Sequence, residues 1–550
     1  MRLPRLSLLA CALVATTALA LPVQKPVAPI QTTGGLVSGM VLPSGVKAWY
    51  GLPFAKPPVG ELRWQRPQPL QWQGVWNADR MMPECMQVLR PHKINHYFGE
   101  EATSEDCLYM NIWAPAKATA KSKLPVIVFI YGGGGTIGSS GIPTYGGESM
   151  ARRGDVVFVN FNYRVGVLGF LSHPELSKEQ GGSSGNYAYL DQNAALRWVQ
   201  DNIAKFGGDP SRVVIMGQSA GASSVTQQVF SPLSKGLFSG AVMSSGCNWG
   251  SATGITLAEG EKNGLDIQRR LGAANLAEMR DIPADRIIDL QAEFQLGLST
   301  GGFRATGIID GHFMPKTQAA ILAAREFNDV PIIASYNRDE ANNPLMTAAS
   351  MDEYRGIARR MYGTDADAFL AMYPLARDAD IRTVGAAVAR DTGLAGNARN
   401  CARLMAEHGN SKAYVDMFSR RHSYAPGVVI ADQDVATVGA YHTADIPFFF
   451  GTLDVFNSLR QTRDWTADDR ALSAKMMDSL VAFAATGNPA TKDVVWPAWT
   501  ADNEAQVEFG GSAGHAVVTR LNAQGIDWLR AHPAKALPGP PPPRAPTPRD

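Results

Sequence analysis

Val213-Val214-Ile215-Met216-Gly217-Gln218-Ser219-Ala220-Gly221-Ala222 is the stretch on which the fold turns. A short apolar, β-branched run reads as a buried strand. Gly-Gln-Ser-Ala-Gly follows it directly, and then small, helix-compatible residues. That is the G-x-S-x-G pattern of a nucleophile elbow: strand, sharp strained turn, helix, with one serine hydroxyl lifted above the sheet edge. The glycines are needed because so tight a turn leaves neighbouring backbones no room for a Cβ. Five residues match by chance often enough that the weight lies in the context, a strand before and a helix after. Ser219 is therefore read as a nucleophile rather than a structural turn serine.

Outward from the elbow, apolar runs recur with helical segments between them. Leu124 to Tyr131, Asp155 to Asn162, Gly240 to Ser245, Asp329 to Ala334 and Ala413 to Phe418 read as strands, the first leading into four glycines, Gly132 to Gly135. Asn186 to Phe206 carries Leu190, Ala194, Trp198, Val199 and Ile203 at helical spacing and ends on Gly207, a natural C-cap. This alternation predicts an α/β fold with a mostly parallel central sheet flanked by helices. Gly34 to Gly39 and Ala48 to Ala55 predict a small N-terminal β region, and Leu257 to Ala324 and Thr347 to Gly409 predict helical cap insertions.

The chain has 550 residues, 45% hydrophobic and 18% charged, with formal net charge +1. That balance gives no electrostatic case for nucleic acid or an anionic membrane as partner. Residues 1–20 read as a signal peptide: Arg2 and Arg5, an apolar run from Leu6 to Thr16, and Ala18-Leu19-Ala20 as cleavage site. The run is too short for a transmembrane anchor. Residues 21–536 read as one domain and 537–550, with Pro540 to Pro543, as a Pro-rich disordered tail. Export permits disulfides, and Cys85 with Cys107 is the local pair. Cys247 and Cys401 are far apart in sequence and their pairing stays open, with buried free thiols the favoured reading.

A serine hydroxyl needs a base to take its proton, and the base needs an orienting acid. Behind elbows of this kind the acid and then the histidine follow in chain order, on loops after later strands. Asp339 and Glu340 lie after one strand, and His422 and His442 after another. The residues alone separate neither pair, and His312, His408, His515 and His532 also lie downstream. The glycines at 132–135 can offer free backbone N–H groups to a developing oxyanion. A phosphate-binding loop would need a following Gly-Lys-Ser/Thr, which is absent. No metal-ligand spacing occurs, and the chemistry requires no cofactor.

Several motifs together resemble the type-B carboxylesterase/lipase family, which includes the cholinesterases. Gly51-Leu52-Pro53-Phe54-Ala55-Lys56-Pro57-Pro58 with Leu62-Arg63-Trp64 is similar to its N-terminal signature. Pro83-Glu84-Cys85 and Ser104-Glu105-Asp106-Cys107-Leu108 resemble the ends of its first disulfide loop. Tyr131-Gly132-Gly133-Gly134 resembles its oxyanion loop, and Phe206-Gly207-Gly208-Asp209-Pro210 precedes the elbow as in the family. The resemblance implies an α/β-hydrolase fold and serine carboxylesterase activity. It makes Glu340 the acid, His442 the base, Gly133, Gly134 and Ala220 the oxyanion donors, and Ser245 a support for the acid.

The departures bear on substrate. Gln218 stands where Glu is commoner, and Gly135 replaces an aromatic, an exchange expected to widen the gorge. The Cys85–Cys107 loop has no Trp and carries Arg90, His92 and Lys93; Gly301-Gly302-Phe303-Arg304 lies near the family's acyl pocket. Arg90, Lys93 and Arg304 are read either as solvated charges or as recognising an anionic, polycarboxylate acyl group. Tricarballylic esters of fumonisin-type mycotoxins, which some bacterial relatives of the family cleave, are of that kind. Cys401 resembles a family cysteine whose usual late partner is absent. The expectation is an exported, periplasmic or secreted esterase acting on a small-molecule ester, with a secreted lipase and a non-catalytic cholinesterase-like binding protein as alternatives.

Overall fold

Apolar runs without alternation suit strands covered on both faces, and every run singled out above holds a strand. The computed structural model describes residues 25–88, 102–250, 254–295, 303, 305–430, 433–511 and 515–537. Its large sheet begins with β1 (Lys25–Pro26), β2 (Met40–Val41), β3 (Lys47–Pro53) and β4 (Tyr109–Ala114), paired antiparallel. The chain then lays down β5 (Leu124–Ile130), β6 (Val157–Phe161), β7 (Gly208–Gln218) and β8 (Gly240–Ser244). It continues with β9 (Ile332–Asn337), β10 (Ala413–Phe418), β11 (Ala505–Phe509) and β12 (Ala516–Arg520). The spatial order is β1-β2-β3-β4-β6-β5-β7-β8-β9-β10-β11-β12, so one exchange, β6 with β5, breaks the sequence order. All pairings from β6 to β11 are parallel.

In this order β5, β7, β8, β9 and β10 are consecutive neighbours, and their carboxyl ends form one edge. Ile130 pairs with Gly217, Gln218 with Ser244, and Ser244 with Ser335. The loops leaving these five strands therefore converge where open parallel sheets place their ligands. The expected helix is Tyr187–Asn202, tightening into a 3-10 turn at Ile203–Phe206 and ending on Gly207 at φ +96°.

The helical stretch expected to cap the sheet from 347 to 409 divides in two. Leu394–His408 contributes Cys401, Ala402 and Met405 to the main core. Met351–Tyr362, Ala366–Met372 and Ile381–Thr392 instead build a second core with Ala523–Ala531, in which Tyr362 and Phe369 stack at 4.3 Å. A large apolar face needs a partner, and here the C-terminal helix supplies it.

Cys85 and Cys107 are joined as expected, with Cα atoms 5.0 Å apart. Cys247 and Cys401 are not free thiols. They form a second disulfide, Cα–Cα 6.4 Å, tying the loop after β8 to Leu394–His408 across 154 positions of sequence. The fold brings the two Cα atoms within bridging range, which sequence separation does not reveal. Among the described residues no helix is long and apolar enough to cross a membrane. Residues 1–24, which include the expected signal peptide, and 538–550 of the expected tail lie outside the described residues.

Candidate active site

Ser219 sits between β7 and the helix Ala220–Phe230 at φ +57°, ψ −123°. A non-glycine residue holds such a backbone only where the surroundings over-determine it. Here the surroundings are backbone on several sides. A β-carbon on Gly217 would lie 2.1 Å from the Gly221 carbonyl oxygen, and one on Gly221 would lie 2.1 Å from that of Ile130. The Ser219 N–H donates to the Ser244 carbonyl at 2.8 Å, locking the elbow to β8.

The loop after β5 packs directly on this turn, since a β-carbon on Gly132 would come within 2.9 Å of Ser219 Cβ. Gly133, Gly134 and Gly135 all have positive φ. The Gly133 carbonyl accepts from the N–H groups of Thr136 and Ile137, both at 3.1 Å. Among the described residues the N–H groups of Gly133, Gly134 and Ala220 donate to no protein acceptor. Gln87, buried, anchors the loop: it accepts from Gly138 N–H at 2.8 Å and donates to Gly138 O at 2.9 Å and Cys85 O at 3.0 Å. The disulfide loop thus steadies the glycine loop, a connection no local motif announces.

Glu340 follows β9, and its side chain is 1% exposed. One oxygen accepts from Ser245 Oγ at 2.9 Å and from Asn337 N–H at 2.7 Å; the other meets His442 Nδ1 at 2.5 Å. Asp339, the other acid the residues left open, faces elsewhere: it accepts from Ala440 N–H at 2.8 Å and ion-pairs with Arg338. His422 is fully buried away from Glu340. Of the two open pairs, the structure joins Glu340 and His442. Burial disfavours the charged form of His442, but the Glu340 hydrogen bond and the charges of Glu340 and Asp445 outweigh it and raise its pKa. At Nε2 the ring meets the side-chain amide of buried Gln218 at 3.2 Å.

Asp445 was missed in the sequence. It is buried below His442, accepting from Ser244 Oγ at 2.5 Å and Asn337 Nδ2 at 3.0 Å, and burial raises its pKa. Its proximity to His442 in sequence was the available signal. Gly135 does not open the site at its own position. A β-carbon there would meet Ala305 at 3.0 Å and the Phe170 ring at 3.5 Å, so these residues take up the room of the missing aromatic. Phe303 is half-buried against the main core. Arg90, Lys93 and Arg304 lie outside the described residues. Among the described residues no group of three metal-ligating side chains converges.

A parallel sheet with a serine elbow, an acid and a histidine on loops at its carboxyl edge defines an α/β-hydrolase. The chain belongs to the carboxylesterase family, whose model matches residues 25–524. It is 37% identical over 498 residues to the fumonisin B1 esterase of Sphingopyxis macrogoltabida, covering 88% of this chain and 86% of that protein. Acetylcholinesterase of Bungarus fasciatus is 31% identical, over 87% of this chain and 82% of its own length. A solved PNB esterase superposes with TM-score 0.73 at 27% identity, covering 91% of this chain and 98% of that one. The protein is a carboxylic ester hydrolase.

Proposed function

We propose that this chain is an exported serine carboxylesterase that works through an acyl-enzyme. The observation that carries the reading is Glu340, with one oxygen held by Ser245 and Asn337 and the other on His442 Nδ1, beside a strained serine elbow. A carboxylate so held keeps the proton on Nδ1, which leaves Nε2 with the lone pair that a general base needs.

Ser219 Oγ attacks the ester carbonyl while His442 Nε2 takes its proton. The tetrahedral oxyanion is held by the N–H groups of Gly133, Gly134 and Ala220, worth about 3–4 kcal/mol per donor in sites of this kind. His442 then protonates the leaving alcohol, and water activated by the same imidazole releases the acid. Gln218 puts an uncharged amide beside the nucleophile, which suits an acyl group that carries negative charge.

The acyl group we propose is a polycarboxylate, with Arg90, Lys93 and Arg304 as its recognising cations. Supporting this is the likeness to a fumonisin B1 esterase over most of both chains, since tricarballylic esters fit the description. Purified protein lacking residues 1–20, given p-nitrophenyl acetate and esters of matched size with neutral and carboxylate-bearing acyl groups, tests it. Arg304→Ala is expected to lower kcat/KM for the anionic ester at least about tenfold relative to the neutral one. Equal loss on both, or none, removes Arg304 from the proposal. Faster turnover of emulsified long-chain esters than of soluble short ones would turn the reading towards a lipase.

A further inference from the structure

His422 is a buried titratable side chain that the mechanism above does not use. It lies after β10 with 0% exposure. Its Nε2 is 2.9 Å from the Ala444 carbonyl, which can only accept, so that nitrogen carries the proton. Nδ1 is then the acceptor, and it receives Tyr441 OH at 3.1 Å and Arg463 Nε at 3.3 Å. The bonds to Tyr441 and Ala444 grip the chain on either side of His442 and Thr443.

That segment closes a turn of its own, Ala444 N–H on the Tyr441 carbonyl at 3.0 Å, but the turn is strained. Thr443 is β-branched, stands at φ +78°, and its buried Oγ1 has no hydrogen-bond partner. Backbone of this kind costs about 1–3 kcal/mol and persists only where packing over-determines it. Asp339 secures the near end at Ala440, and Asp445 secures the far end on Ser244 and Asn337. His422 covers the stretch between.

Arg463 is a buried cation, 2% exposed, with no carboxylate within ion-pair distance among the described residues. Its guanidinium lies 4.0 Å from the Tyr424 ring centroid and 4.8 Å from that of Phe456, contacts that favour a desolvated cation. Two aromatic faces and the His422 lone pair thus stand where an acid would be expected.

We propose that His422 is a positioning residue for His442, holding the loop from Tyr441 to Ala444 so that the imidazole keeps its bond to Glu340 and presents Nε2 to the serine elbow. The inference rests on the reading of His442 as the base. Burial and the Arg463 charge push the His422 pKa down to about 3, against opposing contributions from the Ala444 hydrogen bond and Asp469, so the clamp stays in one protonation state across the working range. The groups around His422 that carry or can carry charge are Arg463, Asp469, Tyr441 and Tyr424. Those acting on His442 are Glu340 and Asp445.

The test compares His422→Leu with His422→Gln, whose amide can donate to Ala444 and accept from Tyr441 or Arg463. Each is measured for thermal stability, for active-site content by phosphonate titration, and for kcat, KM and the pH profile on p-nitrophenyl acetate. His422→Leu is expected to lose about 10²-fold in kcat per titrated site with little change in KM, as for a base misplaced by about an ångström. Its acid limb should move to lower pH, because looser pairing with Glu340 removes what raises the His442 pKa. His422→Gln should recover most of kcat and restore the limb. A folded His422→Leu with unchanged kcat and acid limb overturns the proposal, as do equal losses in both variants with the limb unmoved. Should His422→Leu not fold, His422→Asn, too short to span both partners, is held to the same outcomes. His442→Ala separates the two levels: if it stays active, the base assignment fails; if it is inactive while His422→Leu is normal, only the positioning role fails.

Discussion

Replacing Glu340 by glutamine changes one oxygen for an NH2 group, and the surroundings dictate which end points where. Oε1 of Glu340 accepts from Asn337 N–H at 2.7 Å and from Ser245 Oγ at 2.9 Å. A serine hydroxyl can turn to accept instead, but a backbone N–H cannot. In Glu340→Gln the amide carbonyl therefore stays on Asn337, and the NH2 faces His442 Nδ1. The ring must present a lone pair there, so its proton moves to Nε2, the atom that should accept from Ser219. This is the wrong tautomer for a general base. In serine triads the corresponding acid-to-amide change costs about 10⁴ in kcat, which is about 5 kcal/mol of transition-state stabilisation.

A second signature accompanies the loss. Glu340 favours the charged form of His442, so its removal lowers the pKa from its raised position. The base works only when neutral, and kcat/KM falls as pH drops through that pKa. In the variant the acid limb of the residual activity should therefore lie at lower pH than in the parent. The assay is p-nitrophenyl acetate hydrolysis by folded protein, followed across pH. Activity within about tenfold of the parent, or an acid limb that stays in place, would refute the argument.

In the parent enzyme the acid limb of kcat/KM is expected above the ordinary histidine value of about 6.5, with activity present above it and lost below; a midpoint at or under that value would contradict the pairing with Glu340. Gly217→Ala places a methyl 2.1 Å from the Gly221 carbonyl oxygen, and should cost about 3 kcal/mol or more, read as a lower denaturation midpoint together with lost esterase activity. Thiol titration of denatured, unreduced protein lacking residues 1–20 should find no free cysteine, because the four that remain are paired. Cys247→Ala combined with Cys401→Ala should cost about 2–5 kcal/mol of stability, and an unchanged thermal midpoint would count against the second disulfide.

The elbow was legible because all its information is local: a strand, two glycines that exclude a Cβ, and small residues that start a helix. The parallel strands were legible for a related reason, since runs such as Leu124 to Ile130 are buried on both faces and carry no alternation. The acid and base were not legible from the residues alone. Asp339 and Glu340 are neighbours on one loop, and which carboxylate turns inward depends on Ser245 and Ala440, distant in sequence. Resemblance chose Glu340 and His442, and the structure brings those two together. The pairing of Cys247 with Cys401 was left open, and the favoured reading of free thiols fails, because their approach is made by the packing of Leu394–His408 beside β9 and β10. Gln87 and Asp445 were missed because their partners lie far away in the chain, Gly138 backbone for one and the Ser244 and Asn337 side chains for the other, and His422 was visible only as a rival base.

Labelling of the native enzyme with a fluorophosphonate, followed by peptide mass spectrometry, bears most directly on the central assignment. The adduct should form stoichiometrically on the peptide containing Ser219, esterase activity should fall in proportion, and Ser219→Ala should be both unlabelled and inactive. A labelled residue elsewhere, or Ser219→Ala with parental activity, would contradict the account.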